Sequence, residues 1–122
     1  MDTNNPIIQL CIEGTRAEYA GSLEEAAGLY ARAWDAASDD YEACIAAHYT
    51  ARFQETGEDV LRWNMEALRR ADSAKTAGDA RVQEFYPSLY LSLGGAYEKN
   101  GDTAEASRYY GLAADLGYPH SA

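Results

Sequence analysis

One pattern recurs three times along the chain and limits what it can fold into. The first copy runs Gly14, Ala17, Gly21, Ala26, Tyr30 and Ala33; the second Thr50, Phe53, Gly57, Asn64, Leu68 and Ala71; the third Gly94, Tyr97, Gly101, Ala106, Tyr110 and Ala113. The glycines at 21, 57 and 101 are 36 and 44 residues apart, and the alanines at 33, 71 and 113 are 38 and 42 apart. Recurrence at this period marks a stack of helix pairs, in which no unit can bury its apolar side alone. The 122 residues therefore make one domain, with units at about 7–40, 41–78 and 79–117.

Each landmark has a physical role. A small residue such as Gly14 or Gly94 lets two helices approach closely, and the aromatic one turn later, Phe53 or Tyr97, fills the gap beside that crossing. The glycines at 21, 57 and 101 suit a helix end with positive φ. Ser22, Glu58 or Asp59, and Asp102 or Thr103 then start the next helix. Ala26, Tyr30 and Ala33 share a helical face, as do Ala106, Tyr110 and Ala113. Six helices are predicted, over about Pro6–Tyr19, Ser22–Ala37, Asp40–Glu55, Glu58–Lys75, Asp79–Lys99 and Asp102–Asp115. Pro6 suits a first turn, whereas Pro87 must kink the fifth helix or mark its true start. Composition agrees: Ala and Glu favour helix, and the strand formers Val and Ile are confined to Val60, Val82, Ile7, Ile8, Ile12 and Ile45.

Charge narrows the partner. The formal balance of −10 repels phosphate, which argues against nucleic acid and anionic membranes. It is uneven: residues 1–51 carry −7, 52–81 balance to zero and 82–122 carry −3. A basic or neutral partner is expected rather than an acidic one, although excess acid also serves solubility. No apolar run spans a membrane, and residues 1–6 lack the basic start and apolar stretch of an export signal. A cytoplasmic location with Cys11 and Cys44 as free thiols is expected.

The third copy carries the clearest family mark. Tyr90-Leu91-Ser92-Leu93-Gly94-Gly95-Ala96-Tyr97-Glu98-Lys99-Asn100-Gly101-Asp102, with Ala106, Tyr109-Tyr110 and Ala113, resembles a tetratricopeptide repeat almost throughout. The first copy matches at Gly14, Gly21, Ala26, Tyr30 and Ala33 but has Glu13 for Leu and Ala17 for an aromatic. The second has Thr50 for Gly and Asn64 for Ala. The resemblance implies an all-α fold, a right-handed superhelix of three antiparallel helix pairs, whose first helices line a concave face that binds peptides. Carried over, that groove holds Ile8, Cys11, Thr15, Glu18 and Tyr19; Cys44, Ala47, His48, Ala51 and Gln54; and Ser88, Leu91, Ser92, Gly95 and Glu98. Periodicity leaves Ile8 and Leu91 equally open to a core position. Some family members grip acidic C-termini with Lys, Asn and Arg. The matching positions here are Cys11, Thr15, Cys44, His48, Leu91 and Gly95, none of them such a residue.

Catalytic and metal chemistry find little purchase. Cys44 and His48 share a helical face and with Cys11 supply three zinc-type ligands, but a structural site wants a fourth, and a small hydrophobic role for the thiols is the better reading. The same pair lacks the orienting third group that a nucleophile needs. Asp39-Asp40 and Glu58-Asp59 read as helix starts. Arg62, Arg69, Arg70 and Lys75 are interrupted by Glu66 and Asp72, as on a solvated, ion-paired helix. No cofactor or metal is expected.

The expected function is a non-catalytic protein- or peptide-binding adaptor. The alternative is a self-associating module: the sixth helix carries Tyr109, Leu112 and Leu116, more apolar surface than one inward stripe needs. These residues are expected at a homodimer contact, unless the tail folds back with Tyr118 as a plug.

Overall fold

A computed structural model of the chain describes residues 3–120. Six α-helices occur in order: α1 (Pro6–Tyr19), α2 (Leu23–Ala36), α3 (Asp40–Thr50), α4 (Gly57–Thr76), α5 (Tyr86–Lys99) and α6 (Thr103–Asp115). The described residues contain no strand. Side chains set most helix starts, because the first backbone N–H groups of a helix have no partner within it. Asn5 accepts from the amides of Ile7 and Ile8, Asp39 from Glu42, Thr56 from Asp59 and Asp102 from Glu105. Thr56, rather than the expected Glu58 or Asp59, caps α4; Ser22 stands at the start of α2 without a side-chain hydrogen bond.

Two long helices expected from the sequence are each divided. The third ends at Thr50 and continues as a 3₁₀ turn, Ala51–Phe53. The fifth is a 3₁₀ segment, Ala80–Phe85, followed by α5, whose second residue is Pro87. A proline lacks an N–H that this position leaves unbonded in any case, so it marks a true start and not a kink. Gly21 and Gly101 end their helices with φ of +82° and +80°. Gly57 does not share that role: it opens α4, and its carbonyl accepts from the Asn100 amide at 3.0 Å. The positive φ of the second unit belongs to Gly78, at +87°.

Helices pack mainly as the pairs α1/α2, α3/α4 and α5/α6, with α2 on α3 and α4 on α5 joining the pairs. The core is unusually rich in alanine: Ala26, Ala33, Ala46, Ala47, Ala67, Ala71 and Ala113 are fully enclosed. Small side chains bring helix axes close, and a few large ones, Tyr30, Tyr41, Ile8, Ile45, Leu89 and Leu93, fill what remains. Trp34 of α2 and Trp63 of α4 meet edge-to-face at 5.0 Å, with the Arg70 guanidinium over Trp34.

The first and third pairs repeat one arrangement of glycine, tyrosine and glutamate. Gly14 lies directly against the Tyr30 ring, and the Tyr30 hydroxyl donates to Glu18 at 3.1 Å. Gly94 lies against the Tyr110 ring, and the Tyr110 hydroxyl donates to Glu98 at 3.4 Å. The second pair, with Thr50 and Leu68 at these places, has no counterpart.

Candidate functional site

The C-terminal end of α3, the start of α4 and the middle and end of α5 enclose an open cleft of about 380 Å³. His48, Ala51, Arg52 and Gln54 form one wall, Val60 and Asn64 the second, Ser92 and Lys99 the third. The wall positions follow from helical spacing: His48 and Arg52 are one turn apart, as are Val60 and Asn64, so each pair looks the same way. Asn64 is buried and donates to the Val60 carbonyl at 3.0 Å. Gln54 donates to the Thr50 carbonyl at 3.1 Å, fixing its amide at the cleft's edge.

His48 is the most perturbed group of this surface. Burial, and then the nearby Arg52 charge, lower its pKa to about 4, so the ring is neutral at pH 7. Its Nδ1 is enclosed without a hydrogen-bond partner, as is the Thr50 hydroxyl oxygen. A buried polar atom without a partner costs free energy comparable to a lost hydrogen bond. Arg52 also reaches Glu18 of α1 at 2.6 Å. The lining therefore contains two cations, one shared with Glu18, and no acid. Neither acid expected along the groove lines the cleft: Glu18 is held by Arg52 and Tyr30, and Glu98 lies against Tyr110 outside the lining.

No family of known proteins matches the chain, and neither does any curated protein or solved structure.

Of the residues expected in the groove, His48, Ala51, Gln54 and Ser92 are brought together, Ala51 presenting almost no surface. Ile8, Cys11, Cys44 and Ala47 are core residues, with at most 2% of their surface exposed. The reason is geometric: α1 packs on α3 as well as on α2, which covers the face of α1 and α3 expected to be free. Burial pushes both thiols up to about 12, so at neutral pH they are S–H groups with little nucleophilic or ligand character. Thr15 bonds to the Cys11 carbonyl and the Tyr30 hydroxyl. Tyr19 is 88% exposed at the end of α1, away from the cleft. Ser88 is exposed and Leu91 half-buried, neither in the lining. Gly95 approaches the Tyr110 hydroxyl.

The expected self-association residues separate as well. Tyr109 is buried, stacked on Tyr97 at 5.6 Å and covered by the Arg108 guanidinium, so it offers no contact to a second chain. Leu112 is half-buried; Leu116 is exposed. Tyr118 is exposed rather than a plug; His120 folds back instead and stacks on Tyr110 at 3.9 Å. Arg52, Val60, Asn64 and Lys99 were not expected in the site. Arg52 and Lys99 each lie one turn beyond an expected position, His48 and Gly95, and extending the same spacing finds them.

Proposed function

We propose that the chain is a tetratricopeptide-repeat-like adaptor, a right-handed stack of three antiparallel helix pairs that binds a protein or peptide and performs no chemistry. The observation that carries this reading is the cleft itself. Arg52, Gln54, Ser92 and Lys99 bring donors to one polar cleft beside His48, whose Nδ1 has no hydrogen-bond partner. Such a surface suits the carbonyls of an extended segment. Support for the repeat reading comes from the duplicated arrangement of Gly14, Tyr30 and Glu18 with Gly94, Tyr110 and Glu98. The surrounding charge of −10 selects against acidic partners, so the occupant is neutral or basic overall, and the setting is the cytoplasm. His48, with its depressed basicity, is a poor general base at neutral pH.

A peptide-display selection on the chain, followed by affinity measurements on a Ser92→Trp variant, tests the reading. The larger side chain fills the cleft, and selected peptides are expected to lose roughly tenfold or more in affinity, about 1.4 kcal/mol. Peptides that bind parent and variant equally would place binding elsewhere.

Self-association is the second reading, favoured by the exposure of Leu116 at 42% and Tyr118 at 55% just beyond α6. Light scattering at tens of micromolar (on the order of a weak dimer's Kd) is expected to show a dimer that Leu116→Glu returns to monomer. A parent monomeric throughout that range removes this reading.

A further inference from the structure

We propose that the end of the third helix pair is a second docking surface, for the end of a partner helix and the 3₁₀ turn after it, carrying an aromatic residue, an arginine and another aromatic in the spacing of Tyr49, Arg52 and Phe53. The chain displays its own template for this contact. At the junction of the first and second pairs, the Tyr30 ring is stacked by Tyr49 at 5.2 Å and flanked by Phe53 at 5.5 Å. In the same place Arg52 pairs with Glu18, the acceptor of the Tyr30 hydroxyl, at 2.6 Å. The constellation of glycine, tyrosine and glutamate is thereby closed by three side chains of the segment that follows it, Tyr49 at the end of α3 and Arg52 and Phe53 in the 3₁₀ turn after it, and Tyr30 is left 1% exposed.

The same constellation stands at Gly94, Tyr110 and Glu98, and among the described residues no helix packs over it. One of the three closing positions is filled: the His120 ring stacks on Tyr110 at 3.9 Å and 6°, as Tyr49 stacks on Tyr30. The parts of Phe53 and Arg52 are vacant. Tyr110 stays half-exposed and Glu98 exposed, and among the described residues no cation pairs with Glu98. An aromatic beside Tyr110 buries a large rigid area at low entropy cost, and a guanidinium matches the carboxylate with more than one N–H. This surface is separate from the cleft of Arg52, Ser92 and Lys99, and the inference does not rest on that cleft's use.

The test uses the intact chain and a helical peptide of sequence 41–54 of this same chain, with Cys44→Ser and a lactam between positions 42 and 46 to hold the helix without touching the three contact residues. Fluorescence anisotropy is expected to show saturable binding, and the His120 ring resonances are expected to shift as the peptide displaces it. Phe53→Ala in the peptide should weaken binding roughly tenfold or more, and Arg52→Gln roughly two- to fivefold. Glu98→Gln in the chain should weaken the parent peptide by that same smaller factor and leave the Arg52→Gln peptide unchanged, since the two changes remove one contact. Glu18→Gln should have no effect. Absence of saturable binding by the bridged peptide, or equal effects of Arg52→Gln on parent and Glu98→Gln chains, overturns the proposal. So does sensitivity to Glu18→Gln in place of Glu98→Gln, which would mean that the peptide invades the first junction.

Discussion

Replacing Gly14 by alanine is expected to destabilise the fold by about 2–3 kcal/mol, the upper range for forcing an extra carbon into a packed interior. The direction opposes intrinsic propensity, since alanine in a helix is favoured over glycine by about 1 kcal/mol. The new Cβ would lie 2.4 Å from Cε1 of Tyr30, and that ring has nowhere to go. It is 1% exposed, stacked by Tyr49 and flanked by Phe53, with its hydroxyl engaged by Thr15 and Glu18. Gly94→Ala provides the internal comparison. Its Cβ would lie 2.5 Å from Cε1 of Tyr110, but that ring keeps part of its surface and is stacked only by His120, so it has more room to shift than Tyr30. The loss at Gly94 is expected to be smaller than at Gly14. A Gly94→Leu side chain overpacks the same crossing and restores a cost of ~1–3 kcal/mol. Urea unfolding followed by circular dichroism checks the series. Equal losses for the two alanine variants would mean that Tyr110 is held as firmly as Tyr30.

The second large effect is on pH. His48 has a folded pKa of about 4, against 6.5 for a free imidazole, because burial and then Arg52 disfavour its charged form. Between those values the unfolded chain binds a proton that the folded chain does not, so stability falls as pH falls through that window. It is complete above about pH 6.5, and the loss near pH 4 amounts to about 3 kcal/mol at 1.36 kcal/mol per pH unit. Glu42 and Glu66 have pKa values lowered by hydrogen bonds, from Ser38 and Asn5 and from Arg70 and Arg69 respectively, that outweigh the burial acting against them. Their contribution is lost only below the ordinary carboxylate range, which separates it from that of His48. Denaturant midpoints from pH 7.5 to 4.5 should decline for the parent and stay nearly flat for His48→Leu. A parallel decline in both would mean that the imidazole is not the responsible group.

The third and first units were legible because their glycines, tyrosines and alanines each have a single packing reason to be where they are. The second was legible only in register, since Thr50, Asn64 and Leu68 keep the spacing without the chemistry. Asn64 shows what such a departure can mean: an amide in an alanine's place lines the cleft. The breaks at Thr50 and before Tyr86 were hidden for a different reason. A 3₁₀ turn shares residue types with an α-helix, and only the Pro87 ring signalled where one gave way to the other. Several expected groove residues are core because a helical face does not announce what covers it. Ile8, Cys11, Cys44 and Ala47 have the spacing of a groove, and α1 lying on α3 turns that spacing into core. A charge tally likewise says nothing of pairing: Glu18 counts as an acid but is answered by Arg52, 34 residues later.

The two tryptophans of the chain, Trp34 and Trp63, sit against each other where the first helix pair meets the second. The third pair has no tryptophan; its aromatic surface is a run of tyrosines, Tyr86, Tyr90, Tyr109 and Tyr97, each within 6.1 Å of the next. The indole pair thus reports from a single place. Its emission follows the parting of the first two pairs, whereas helical circular dichroism follows all three. Recording both through one melt distinguishes a chain that comes apart as a whole from one that frays from its C-terminal end.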